Sequence, residues 1–329
     1  MRAVRIHAFG GPEVLHIDEV SKPEPASGEV RIKVEAIGVN RSEVMMRKGL
    51  YYPPAELPAR IGLEAAGTID ALGAGVKSFK AGDRVGTLIC LAGPKYFGAY
   101  AEYVVVPAAA VFATPENVSG EESAAIWMAF LAAWGALVQF GQLTAGQAVV
   151  ITAAFSPVGL AAIQIARDLG AKVIASTTST DKVNELKRRG ADAVIDTSRE
   201  DFVGRVKELT DDRGADLFFD PAVGGILTCE MEAAALDGRI IIYALLDMLP
   251  TTINPKFVSR GRRRIMGFTV AMLAPLPDVL DRAVSYIQQR VSDRTFRLCI
   301  AKTFKLEEVA DAHRCIENDQ QIGKIVMTP

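Results

Sequence analysis

A chain of 329 residues, 50% of them hydrophobic and 23% charged, is long enough for two domains and a large core. A formal net charge of −2 gives no electrostatic footprint for nucleic acid or an anionic membrane, so neither is expected as a partner. The one basic cluster, Arg260 with Arg262, Arg263 and Arg264, precedes an apolar strand-like run and reads as a strand-edge or subunit-contact feature.

The start, MRAVRIHAFGG, has no apolar core of a signal peptide. The longest uncharged apolar run, from Ala124 to Val138, is shorter than the roughly 20 residues a membrane span needs and reads as a buried helix. Cys90, Cys229, Cys299 and Cys315 are scattered, and no pair has metal-ligand spacing. A reducing, cytoplasmic setting is expected.

Residues 1–122 carry short strand-like runs at 4–6, 14–17, 30–34 and 103–106, broken by Gly10-Gly11-Pro12, Pro23-Glu24-Pro25 and Gly82-Asp83. Frequent turns between short strands predict a small β-barrel-like domain. From Glu121 the texture changes to alternating helix and strand. Strands are expected at 148–151, 172–176, 193–196, 217–219, 239–243 and 264–269, with helices between them near 181–189, 201–209 and 227–236. Six strands alternating with helices predict an α/β, doubly wound parallel sheet over residues 123–270. The tail, 271–329, reads as a helix at 278–289, a strand at 296–300, a short helix at 306–316 and a last strand at 324–327 that pairs back onto the first domain.

The most informative stretch is QAVVITAAFSPVGLAAIQIARDLGAKVIASTT, residues 147–178. A short β-branched run, a turn, a helix-spaced apolar series ending at Gly170 and a second buried run make a βαβ unit. Its turn is where a dinucleotide pyrophosphate meets a helix N-terminus. The glycine fingerprint is degraded: Ala154 and Ser156 stand at the first two glycine positions and only Gly159 remains. Pro157 suits the first helical position, and the amides of Val158 and Gly159 with the Ser156 hydroxyl are candidate phosphate donors. The alternative is a βαβ crossover with no ligand. A chain that reads unphosphorylated carrier usually has Asp or Glu after the second strand. Here that place holds Ser176, Thr177, Thr178 and Ser179, with Lys182 following, a set suited to a 2′-phosphate and hence to NADPH; the alternative is a Thr/Ser-rich cap with a solvated lysine.

Taken together, EAIGVNRSEVMMRKGLYYPP (35–54), GLEAAGTIDALGAGVKSFKAGDRVG (62–86), GAYAEYVVVP (98–107), the βαβ unit, GADLFFDPAVGG (214–225) and KTFKLEEVADAHRCIENDQQIGKIVM (302–327) resemble the medium-chain dehydrogenase/reductase superfamily. The resemblance runs nearly end to end and is strongest to the zinc-free quinone oxidoreductase and enoyl reductase branch. It implies a GroES-like catalytic domain, residues 1–122 with 271–329, around a Rossmann domain, with the active site in the cleft between them. In the zinc-using branch a cysteine stands at the place of Asn40 and a histidine at that of Leu63. Catalytic zinc needs about three protein ligands, and His7, His16 and His313 are lone and far apart. No metal is expected.

In the zinc-free branch, hydride passes to a quinone or to the β-carbon of an α,β-unsaturated carbonyl, and the developing oxygen anion needs a donor. The resemblance places Asn40 in this pocket and gives Tyr51 orientation or proton donation, with Tyr52 the alternative because the doubled tyrosine leaves the register open. It also puts Tyr243, Ala244 and Leu245 against the nicotinamide and Lys324 near the pyrophosphate, and implies a homodimer through the edge strand near 265–270. Glu64 falls near the cleft. Met45 and Ala132 depart from the family's tyrosine and threonine, and Arg41 brings a charge beside Asn40, read as a solvated arginine or, alternatively, as a cation at the pocket rim for an acidic or acyl-carrier substrate. The expected function is an NADPH-dependent quinone or enone reductase; the alternatives are a zinc-dependent secondary alcohol dehydrogenase or ketone reductase, and a non-catalytic NADPH-binding protein.

Overall fold

The computed structural model describes residues 1–329. The chain divides into two compact units, Met1–Met128 with Leu273–Pro329, and Ala129–Met272.

The first unit is organised on the long strand Glu29–Val39. Glu64–Leu72 pairs along one edge. The other edge is shared: Tyr103–Pro107 takes residues 29–33, and Lys324–Thr328 takes residues 37–39. The C-terminal strand thus returns to the N-terminal region, as its apolar sequence predicts. Arg84–Leu88, Val111–Ala113 and Ile300–Lys305 complete the seven-stranded sheet. A separate three-stranded sheet joins Leu15–Glu19, Arg2–Ile6 and Ala59–Arg60. The expected strand at 296–300 begins instead at Ile300. Phe296 is apolar because it is buried against Tyr286 in an irregular segment, with ring centroids 5.8 Å apart.

The second unit is a six-stranded parallel sheet, in the order third, second, first, fourth, fifth, sixth. That order reverses direction beside the first strand, Ala148–Ile151, the place where doubly wound sheets bind ligands. The helix expected at 227–236 ends earlier. Gly225–Ala233 is helical, and Ala234 already pairs with Ala215 in the fifth strand, Ala234–Ile242. Sheet pairing overrides the helix propensity of Ala234, Ala235 and Leu236. The apolar run follows the short helix Gly120–Ser123 and forms the helix Trp127–Trp134 and most of a π-helical turn, Gly135–Phe140. The stretch Gly120–Phe140 is apolar and long enough to cross a membrane by composition, but 78% of its most apolar window is buried within the protein.

Candidate active site

Asn40 occupies the N-cap of the helix Arg41–Arg47, yet its side chain does not cap it. The amide donates through Nδ2 to the Gly38 carbonyl and to Glu43 Oε1, both at 3.2 Å, while Oδ1 accepts from Lys324 Nζ at 2.5 Å. A lysine can only donate, so this contact fixes which end of the amide is oxygen. Lys324 also donates to Glu64 Oε2 at 2.5 Å, and Glu64 Oε1 accepts from the Met128 amide. Lys324, Glu64 and Glu43 are 1%, 0% and 0% exposed. Lys324, which the family register sets near a pyrophosphate, has its ammonium engaged inside this cluster. Both amide hydrogens of Asn40 are engaged too, so the free donor expected of it is already bonded to protein.

Glu43 was not singled out by the sequence. It accepts from the Leu63 amide at 3.0 Å as well as from Asn40, and burial pushes its carboxyl up to about 7 against the pull of Lys324. The signal for it lay in the helix pattern, where Glu43 sits on the same face as buried Val44 and Arg47. Gly38 makes the cluster possible. A Cβ there would lie 2.2 Å from the Ala124 carbonyl, 2.7 Å from Glu64 Oε2 and 2.8 Å from Lys324 Cε.

The two tyrosines separate cleanly. Tyr52 is 90% exposed. Tyr51 is half-buried, meets the Phe97 ring edge-on at 6.0 Å, and lines a cavity of about 750 Å³. Burial, then the nearby Cys90 and Glu43, push its phenol up to about 12. Burial, and then Glu64 and Glu43, hold the Cys90 thiol well above the ordinary range. Arg41 is paired with Asp319.

In the second unit, the turn after the first strand packs closely on Gly159. A Cβ there would lie 2.7 Å from both Cα and O of Ala154. Ala153 adopts the left-handed conformation, φ 47°, that a fingerprint glycine would otherwise supply. Pro157 opens the helix Pro157–Asp168 and Ser156 caps it, its Oγ accepting from the Gly159 amide at 3.1 Å. The Ser156 hydroxyl is also within hydrogen-bonding reach of the Tyr243 phenol. Two of the three expected phosphate donors are therefore engaged internally, and the Val158 amide is left. Tyr243 stacks on Phe219, centroids 4.0 Å apart. Beyond it, the amides of Tyr243, Leu246 and Asp247 donate to Asp220, Pro221 and Ala222, while those of Ala244 and Leu245 have no protein acceptor.

At the end of the second strand, the buried Thr177 hydroxyl accepts from the Ser179 amide, and Thr178 is exposed. Lys182 is 8% exposed, its ammonium 3.4 Å from the centroid of the Phe155 ring. This places a cation against the first turn. The sequence showed no carboxylate here, but the third strand brings one, Asp196, in register with Thr177. Its oxygens accept from Thr180, Ser198 Oγ and the Ser198 amide. Those bonds hold it below the usual carboxylate range.

No group of three or more His, Cys, Asp or Glu side chains is placed to hold a metal. Beside Asn40 and Leu63, the cation facing the carboxylates is Lys324 itself. His7 contacts Asp18 at the surface, and His313 is buried against Tyr100 at 3.2 Å. These residues do not fit a catalytic zinc ion.

Comparison with known proteins agrees with this architecture. Residues 26–116 match the family profile described as alcohol dehydrogenase GroES-like domain, and residues 157–285 that described as zinc-binding dehydrogenase. The chain is 30% identical to a quinone oxidoreductase of Homo sapiens over 329 residues, 99% of this chain and 97% of that protein. The structure superposes on Escherichia coli quinone oxidoreductase complexed with NADPH with a TM-score of 0.93 and 26% identity, covering 100% of both chains. It superposes on an NAD-dependent alcohol dehydrogenase with a TM-score of 0.89 and 33% identity, again over 100% of both chains. The chain is an α/β protein with a GroES-like and a Rossmann domain. It belongs to the medium-chain dehydrogenase/reductase superfamily, in its quinone oxidoreductase branch.

Proposed function

We propose that this protein is an NADPH-dependent reductase that transfers hydride to a quinone or an α,β-unsaturated carbonyl without a metal ion, as a cytoplasmic homodimer. The observation that carries the reading is the end of the parallel sheet, with open amides at Val158, Ala244 and Leu245 and the Lys182 cation against Phe155. The relatives support it: the human protein named above is a quinone oxidoreductase, and the Escherichia coli structure holds NADPH.

The fit of the carrier rests on this chain's own geometry. Gly159 permits the helix to approach the Ala153–Ala154 turn, and the Val158 amide, in the first turn of that helix, has no internal acceptor and is available to a pyrophosphate at the helix N-terminus. Thr177, Thr178, Ser179 and Lys182 offer hydroxyls and a cation for a 2′-phosphate, while Asp196 is already satisfied. The Ala244 and Leu245 amides suit a carboxamide. The bound carrier supplies hydride from nicotinamide C4.

On the substrate oxygen, Tyr51 is the donor. A phenol held up at about 12 stays protonated at neutral pH and can hydrogen-bond the oxygen that gains charge, or protonate it. Asn40 acts behind it, fixing Lys324 and Glu43.

The direct test is NADPH and NADH oxidation against a panel of quinones, enals and 2-enoyl thioesters. Turnover with at least one acceptor and a preference for NADPH are expected; background rates throughout reject the reading. Tyr51→Phe lowers kcat/KM by roughly 10²-fold if the phenol donates, and an unchanged value assigns it to packing alone. The name of the NAD-dependent alcohol dehydrogenase neighbour favours one competing reading. Stoichiometric zinc in the purified protein with alcohol oxidation would select it. Tight NADPH binding with no acceptor reduced would select a non-catalytic carrier.

A further inference from the structure

The cavity of about 750 Å³ in the first unit is of the size that takes a small organic molecule. Met46, Tyr51 and Phe97 give it an apolar side, and Arg5 and Arg60 give it a cationic one. Those two arginines are direct cross-strand partners in the antiparallel pair of Arg2–Ile6 and Ala59–Arg60. Like charges in that position destabilise a sheet. Arg60 is exposed at the cavity, and partial desolvation, then Arg5, pull its guanidinium below the ordinary value.

The surroundings only half relieve this. Arg5 Nη1 lies 3.5 Å from Asp18, which is shared with His7, and Nη2 donates to the Pro58 carbonyl. Arg5 Nε is buried with no partner. Arg60 pairs with no carboxylate, and Nη2 donates to the Lys95 carbonyl at 2.9 Å. The Lys95 ammonium is turned onto the Tyr96 ring, and Glu56, the acid in the lining, is exposed. Arg60 packs over Gly98, where a Cβ would meet its own Cβ at 3.1 Å, and neighbouring Phe97 meets Tyr51. The charged end and the candidate proton donor therefore share one wall.

We propose that this cavity binds an organic oxyanion, its carboxylate or phosphate bridging Arg5 and Arg60 and its apolar body lying along Phe97 and Tyr51. The substrates of the reductase accordingly carry such an acidic group. An anion between the two forks turns a repulsive pair into a bidentate receptor, which suits planar oxyanions. The second statement rests on the reductase reading, and the first does not.

Calorimetric titration of the full chain with octanoate, octyl phosphate and octan-1-ol separates them, because it needs no turnover. Either anion is expected to bind at least tenfold tighter than the alcohol, to weaken with added salt, and to lose the advantage in Arg60→Ala. Equal binding of alcohol and anions, or undiminished anion binding in the variant, overturns the proposal. The melting temperature of Arg60→Ala should not fall, since the substitution removes a like-charge pair; Arg60→Gln serves equally should the alanine variant express poorly. With a turned-over enone acid and its methyl ester, the acid-to-ester ratio of kcat/KM should drop toward one in the variant. A ratio that does not move rejects the substrate assignment. Absence of turnover with every acceptor would sink the reductase reading and leave the binding result standing.

Discussion

Buried titratable side chains set the behaviour of the first unit at the residue scale. Glu43 is held at about 7 by burial, so its ionisation falls within the working range of an enzyme. Lys324, Tyr51, Cys90 and Tyr100 are the charged or titratable groups facing it. An ionised Glu43 adds negative charge near Tyr51 and opposes charge building on a substrate oxygen there. The expected kcat/KM therefore declines above about pH 7, by roughly tenfold, the scale of a 1–2 kcal/mol charge interaction. Glu43→Gln should flatten that limb; a profile identical to wild type would remove Glu43 from the chemistry. His313 has the opposite sign. Burial and Arg47 lower it to about 3, so between about 6.5 and 3 the unfolded chain binds the extra proton. Stability is lost as pH falls through that window, by on the order of 5 kcal/mol at its acid end. The raised Glu43 works against this slope between about 4.5 and 7, where stability falls as pH rises. His313→Gln should therefore shrink the fall in melting temperature between pH 6.5 and 4, read by differential scanning calorimetry.

At the scale of elements, one glycine decides whether the first turn of the parallel sheet can form. Gly159 lies where any Cβ would sit 2.7 Å from Ala154 backbone atoms, and the backbone cannot yield as a flexible side chain could. Gly159→Ala is expected to cost about 1–3 kcal/mol of stability by overpacking. It should also weaken NADPH binding by shifting the Val158 amide, with fluorescence titration and urea unfolding reading the two effects separately. That glycine was legible in the sequence because helix, strand and spacing all pointed to it. The use of Ser156 as a cap and of Ala153 at positive φ was not, because both depend on how the turn closes rather than on residue type alone.

For the whole molecule, the exposed apolar surface of the second unit gathers at the sheet edge and the loop beside it. Arg264–Gly267 is the edge strand, and Met266, Leu245, Met248 and Leu249 are all at least a third exposed. An open edge with apolar neighbours is an aggregation hazard unless covered. A homodimer through this edge is expected, and light scattering at micromolar concentration should give twice the 35.3 kDa chain mass. Met266→Lys should return it to monomer, whereas a monomeric wild type would reject the edge-to-edge pairing.

The alternation of apolar residues, the turn formers and the helix-to-strand rhythm determined both domains and the order of their elements, because these follow from local periodicity. The segments 62–86 and 302–327 likewise carried the superfamily, and 147–178 the candidate cofactor turn. Only the tertiary structure decided the partners of the polar groups. It placed Lys324 from the last strand between Asn40 and Glu64, set Asp196 beside Thr177 from a different strand, half-buried Tyr51 while leaving Tyr52 exposed, and opposed Arg5 to Arg60. Those contacts join residues 19 to 284 positions apart. Side-chain pairing across such separations is fixed by register and packing, which no local pattern encodes.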